Sequence, residues 1–186
     1  MKKFFSTLLM FLALVTGLST TEARADSPSE EYLIKAAFLF RFAQFVDWPP
    51  EVLSEDGPIR FCTLGQDPFK GALETTLSGK KIAKHSLEGV HLKPGQDLRV
   101  CNLIFIGSDL GSRAGSVLSE LQEMPVVTIS DTERFTQRGG VIGFCWEGMK
   151  IRFDINVTAA EKAHLRISAR LLSLARTVIG GGGKSG

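Results

Sequence analysis

Between Tyr32 and Val46 the chain places twelve apolar side chains in fifteen positions, with Lys35, Arg41 and Gln44 as the polar relief. Ser27-Pro28-Ser29-Glu30 ahead of this run reads as a helix start, with Ser27 as N-cap, Pro28 at the first position and Glu30 closing a capping box. Trp48-Pro49-Pro50 ends it. A helix apolar on nearly all sides has to be covered on nearly all sides. It is therefore the central helix of a layered core, or one of its sides is covered by a second subunit. The 186 residues are enough to build such a core.

The rest of the pattern supplies the layers. Ile59–Leu64 reads as a buried strand, and a short helix follows from Asp67-Pro68 to Ser78-Gly79. Lys80–Ser86 alternates charge with Ile82 and suits an edge strand. Leu98–Ile106 reads as a fully buried strand, with a helix over about Leu110–Glu123 and a further strand at Pro125–Ile129. Gly140–Trp146 and Lys150–Ile155 bracket Glu147-Gly148-Met149 as a hairpin, and Asn156 N-caps a last long helix over about Thr158–Val178. On that helix Ala160, His164, Ile167, Leu171, Leu174 and Val178 form one apolar stripe, and Leu165, Ala169, Leu172 and Ala175 a second. Strands separated by helices, then a hairpin, predict an α/β fold: a three-layer-like sandwich with a mixed, mainly parallel sheet flanked by helices.

The formal charge of +2 is concentrated at the front. Lys2 and Lys3, the apolar run Leu8–Val15 and Ala23-Arg24-Ala25 make a Sec-type signal peptide, expected to be cleaved near Ala25 for export to the periplasm. Its apolar stretch is too short and too interrupted by Thr, Ser and Gly for a transmembrane anchor, so no membrane insertion is expected after cleavage. Residues 26–179 then form the folded domain and 180–186 a flexible Gly-rich tail. Removing residues 1–25 takes away three basic side chains and one acidic one, which leaves 19 of each. Balanced charge removes the bulk electrostatic case for nucleic acid.

Export gives the three cysteines meaning, because thiols tend to pair in an oxidising compartment. Three pairings are open. Cys62 and Cys101 both fall early in predicted strands, and neighbouring strands would set them side by side; two buried free thiols are the alternative. There is no C-x-x-C and no His at metal-ligand spacing from a Cys, so the sequence offers no metal or cofactor site.

Signatures of catalysis are missing in the same way. Gly183-Lys184-Ser185 looks like the end of a phosphate loop, but the first glycine falls on Val178 and no helix follows. Gly111-Ser112-Arg113-Ala114-Gly115 has its Ser at the wrong place for a nucleophile elbow. Ile106-Gly107-Ser108-Asp109 sets a strand end before a helix start, a corner common to α/β domains where backbone N–H groups can bind a small anionic ligand. His85, His91 and His164 are scattered, and no catalytic residue is assigned.

The run Glu31-Tyr32-Leu33-Ile34-Lys35-Ala36-Ala37-Phe38-Leu39-Phe40-Arg41-Phe42-Ala43-Gln44-Phe45-Val46-Asp47-Trp48-Pro49 resembles the opening of the YfiR family of periplasmic regulators. The likeness continues through Cys62, Val100-Cys101, Gly139-Gly140-Val141-Ile142-Gly143-Phe144, Phe153-Asp154-Ile155-Asn156 and Leu165-Arg166-Ile167-Ser168. The resemblance implies a compact, non-catalytic α/β domain, often a homodimer. Such a domain holds the periplasmic sensor domain of an inner-membrane diguanylate cyclase (YfiN type), or a related sensor protein, inactive. It thereby limits cyclic-di-GMP output and biofilm formation, and stress releases it. The resemblance also implies a disulfide between Cys62 and Cys101. Cys145 matches a position that pairs with a nearby cysteine in some relatives; here Thr136–Phe144 holds none, which leaves Cys145 a free or alternatively paired thiol. Phe144 and Trp146 on one strand face, with Leu165 and Ile167 on the last helix, are the candidate partner-binding residues, core packing being their alternative use. A periplasmic small-molecule sensor is the second functional expectation.

Overall fold

The structure, a computed structural model, describes residues 28–55 and 57–181. The expected signal peptide, the Ser27 cap and residues 182–186 of the expected tail lie outside the described residues. Five helices run over Glu30–Ala43 (α1), Ala72–Leu77 (α2), Arg113–Leu121 (α3), Val157–Lys162 (α4) and Ala169–Leu172 (α5). The first five strands are Val46–Asp47 (β1), Ile59–Leu64 (β2), Lys81–Ile82 (β3), His85–Leu92 (β4) and Leu103–Ile106 (β5). The remaining five are Val127–Ser130 (β6), Ile142–Glu147 (β7), Lys150–Asn156 (β8), Arg166–Ile167 (β9) and Thr177–Ile179 (β10).

Eight strands form one sheet in the order β10-β8-β7-β6-β5-β2-β4-β3, parallel from β4 to β7 and between β8 and β10. Within this sheet only the β3–β4 and β7–β8 pairs are antiparallel. This is the mixed, mainly parallel sheet expected. The central strands are buried on both faces, which is why they read as unbroken apolar runs. Phe61, Leu103, Phe105, Val127 and Ile129 point to one core with Leu39 and Phe42 of α1 and Leu73 and Leu77 of α2. Cys62, Leu64, Ile104 and Ile106, one residue out of phase, point to the other with Leu118 and Leu121 of α3. Helix, sheet and helix make three layers.

Several expected elements need correcting. The capping-box geometry at the start of α1 is replaced: the helix begins at Glu30, and Ser29 caps it without a side-chain hydrogen bond. α1 also ends earlier than expected, at Ala43, because Val46–Asp47 pairs with β9. The edge strand expected at Lys80–Ser86 is the tip of a hairpin whose long arm, His85–Leu92, alternates half-buried and exposed residues. The front of Leu98–Ile106 is a 3-10 turn at Leu98–Val100, where Asp97 Oδ1 accepts from Arg99 N at 3.0 Å.

The largest correction is the last helix. It stops at Lys162 because His164 takes a left-handed conformation, φ 56°. His164 N donates to Glu161 O at 3.0 Å and Leu165 N to Ala160 O at 2.9 Å, a Schellman closure with His164 in the place where glycine is usual. The chain then pairs with β1, with Ser168 N donating to Phe45 O at 2.9 Å, makes the single turn α5, and returns as β10 beside β8. The double apolar stripe reflects two short turns and two strand contacts rather than one helix. The Asn156 cap holds, its Oδ1 accepting from Ala159 N at 2.9 Å.

Candidate functional site

α1 is not covered all round. Its inner face carries Ala36, Leu39, Phe42 and Ala43, while Leu33 and Ile34 stand exposed on the outside. The inner face also carries Lys35, which is only 1% exposed although the sequence offers it as solvent-side relief. Burying an ammonium demands partners, and two carboxylates supply them. Lys35 Nζ donates to Asp131 Oδ2 at 2.6 Å and pairs with Glu31 one turn earlier on α1. Its charge also lies 4.4 Å from the centre of the Tyr32 ring, a cation–π contact. Asp131 Oδ2 accepts a second bond, from the Tyr32 hydroxyl at 2.7 Å. Burial, the bond to Asp131 and the negative charges of Asp131 and Glu31 all push Tyr32 up from its ordinary pKa. The phenol therefore stays a donor.

Asp131 directly follows β6, so this cluster sits at the carboxyl ends of the parallel strands, where α/β sheets usually place their working groups. A groove of about 440 Å³ opens there, lined by Lys35, Asp131, Arg134, Cys145, Trp146 and Asp154, among others. Its far wall is a second ion pair. Arg176 grips Asp154 on β8 through Nε at 2.9 Å and Nη2 at 2.5 Å. The two parallel bonds hold the guanidinium firmly protonated. Between the two pairs, Cys145 on β7 is half-buried; burial first, and the Asp154 charge second, raise its pKa and keep the thiol neutral. Two glycines shape this wall. Gly139 has φ 98°, and a Cβ on Gly140 would lie 2.0 Å from the Phe135 ring, so the Gly139-Gly140 step is needed to lay β7 against the loop after β6.

The candidates chosen from sequence separate. Trp146 is 53% exposed at the lip of the groove. Phe144 is buried in a cluster with Phe38 and Phe42, its ring centre 5.9 Å and 5.7 Å from theirs. Leu165 is buried in the same core, and Ile167 is half-buried in β9. Cys62 and Cys101 are joined, Cα to Cα 5.9 Å, beneath α3 at the other end of the strands. The Gly107–Gly111 corner is occupied by a carboxylate of its own: a Cβ on Gly65 or Gly107 would come within 2.5 Å or 2.4 Å of Asp109 Oδ1. That negative charge opposes the anionic ligand expected there.

Sequence reading missed Lys35, Asp131, Asp154 and Arg176. A signal existed for two of them, since Asp131 directly follows a fully buried strand and Asp154 sits between buried Phe153 and Ile155. Two ion clusters line the groove, Lys35 with Asp131 and Glu31 and Arg176 with Asp154, and Cys145 has no histidine among the groove-lining residues to activate it. Among the described residues no group of three or more His, Cys, Asp or Glu is placed to hold a metal ion, and no helix is long and apolar enough to cross a membrane.

No curated protein matches the chain. The profile of the YfiR/HmsC-like family matches residues 32–176, from the Tyr32–Asp131 contact to the Arg176–Asp154 pair. At family level this carries a periplasmic regulator rather than a catalyst. With the match spanning both layers of helices and every strand up to β9, the chain belongs to the YfiR/HmsC-like family.

Proposed function

We propose that the protein is a periplasmic, non-catalytic regulator that binds the periplasmic sensor domain of an inner-membrane diguanylate cyclase and represses cyclic-di-GMP synthesis. The single observation that carries this reading is the family match over residues 32–176. The site is consistent with it: a charged groove built on the Lys35–Asp131 and Arg176–Asp154 ion pairs, with an exposed tryptophan at its lip, suits recognition of a surface. Residues 1–25 act as the export signal, cleaved near Ala25, and 26–179 as the regulatory domain.

Repression works by differential binding: the regulator holds the cyclase's inactive state better than its active one. Deleting the gene raises cyclic-di-GMP in cells with an intact membrane cyclase and leaves it unchanged in cells lacking that cyclase. Unchanged levels in both backgrounds would sink the partner assignment.

A further inference from the structure

On the outer side of the molecule, between α1 and the C-terminal segment, lies an apolar cleft of about 350 Å³, distinct from the charged groove. Its floor is Phe42, Phe153 and Leu171, all buried. Phe38 of α1 and Phe45 in the turn after it wall one side, and Leu174, 56% exposed, walls the other from beyond α5. Ile34, Phe38 and Arg41 follow one another at helical spacing on α1, so the exposed Ile34 extends the same face along the helix.

Two cations stand at the rim, Arg41 and Arg170. Arg170 lies 5.6 Å from the centre of the Phe45 ring, and Arg41 lies 6.0 Å from that of Phe40 while Nη1 donates to Gln44 Oε1 at 3.1 Å. Among the described residues neither guanidinium has a carboxylate partner, in contrast to Arg176 in the charged groove. No acidic residue lines the cleft. The rim therefore presents two aromatic-stacked arginines with free donor edges above an apolar floor.

We infer that the α1–α5 cleft docks a partner protein segment in which an apolar anchor side chain is flanked by carboxylates. The anchor fills the space over Phe42 and Phe153, as apolar anchors fill pockets at interfaces. The carboxylates meet Arg41 and Arg170 through paired hydrogen bonds. A second copy of this chain seated cleft to cleft is disfavoured, because a twofold would set the two arginines against two more. A lipid surface is disfavoured by shape, since the cleft is concave and membrane-seated surfaces push apolar side chains outward. The inference rests on the regulatory reading only for the identity of the partner.

The test places the photo-crosslinking residue p-benzoylphenylalanine at Leu174 of the full-length protein in cells, and the crosslinked segment is sequenced by mass spectrometry. The expected product is a segment of another protein with Asp or Glu within a turn of an apolar residue. A synthetic peptide of that sequence then binds the purified protein and weakens about tenfold with Arg41→Glu and Arg170→Glu together, a change expected when charge-assisted pairs are reversed. The same peptide with Lys for its acids recovers binding to the double variant. Both arginines are exposed, so the variants keep the fold; Leu174→Ser gives an uncharged check. Crosslinks to a second copy, to lipid, to a segment without acids, or to nothing overturn the inference. An acidic segment from a protein other than a cyclase, with cyclic-di-GMP unchanged on gene deletion, preserves the cleft and refutes only the regulatory reading.

Discussion

Between β2 and the segment just ahead of β5 the sheet is tied by a covalent bond, Cys62–Cys101, sunk in the apolar cluster under α3. Between α1, β6 and β8 it is tied by charge, through Lys35 with Asp131 and Glu31 and through Arg176 with Asp154. The two ties act on different states of the chain. A disulfide chiefly restricts the unfolded ensemble and adds little that depends on its surroundings. A buried ion pair exists only in the folded state, where each charge is tolerable because the other is present. The stapled end is therefore indifferent to single charges, whereas the groove end depends on the charges it buries, Lys35 above all.

The strongest way to break that contrast is Lys35→Ala. It leaves Asp131 facing Glu31 and the Tyr32 hydroxyl with no cation, and removing one member of a buried pair costs about 3–5 kcal/mol. Lys35 is almost wholly buried and loses two partners, so we expect a value near the upper end. Chemical denaturation measures it. Lys35→Met combined with Asp131→Asn recovers much of the loss, because the uncompensated charge goes as well. A loss below about 1 kcal/mol for the single variant would show that water reaches the ammonium and that the pair behaves as an exposed one.

Next in size is the covalent tie. Cys62 and Cys101 lie 39 positions apart, and closing a loop of that length contributes about 4 kcal/mol on the chain-entropy account. Cys62→Ser and treatment with reductant each lower the melting temperature by roughly 10 °C in a domain of this size. Reductant has no further effect on the variant. The comparison is sharpened by combining Cys62→Ser with Lys35→Ala. Ties at opposite ends of the strands with no shared partner should have additive costs, and a shortfall would mean that the two ends communicate.

The same contrast explains how much the sequence disclosed. The stapled end was legible because its central strands are buried on both faces: Ile59–Leu64 stands where it was expected, with Cys62 inside it, and the link to Cys101 forms although Cys101 precedes β5 rather than lying in it. The β7–β8 hairpin was legible for a similar reason, with Gly148 between two apolar runs. The groove end was opaque because its determinants are three-dimensional. Nothing local tells that Lys35, among twelve apolar neighbours, faces inward; only the arrival of Asp131 from 96 positions away makes that tolerable. The last segment misled because its 3.6-residue periodicity continues past His164. A single left-handed residue redirects it into β9 and β10; His tolerates that conformation better than most side chains, but without the glycine that usually marks such a stop the apolar periodicity outweighed it.

The smallest expected effect lies on Cys145, the thiol that the covalent end does not use. Its pKa is raised, by burial first and by the Asp154 charge second. A thiol whose folded pKa lies above its unfolded one binds its proton more tightly in the folded state. The stability it contributes is therefore fully present below the ordinary thiol range and fades as pH rises through the folded value. Cys145→Ala should flatten that alkaline decline slightly while changing little at neutral pH. The reactivity of the thiol gives a more direct reading, because only the thiolate attacks. A soluble thiol reagent should modify Cys145 slowly at neutral pH and faster as pH rises. Asp154→Asn should speed it, since one negative charge is removed and Arg176 is freed from its partner, both of which favour the thiolate. Rapid modification at neutral pH, unchanged by Asp154→Asn, would show that the groove's charges do not govern the thiol. The division between a covalent end and an electrostatic end would then stop at β7.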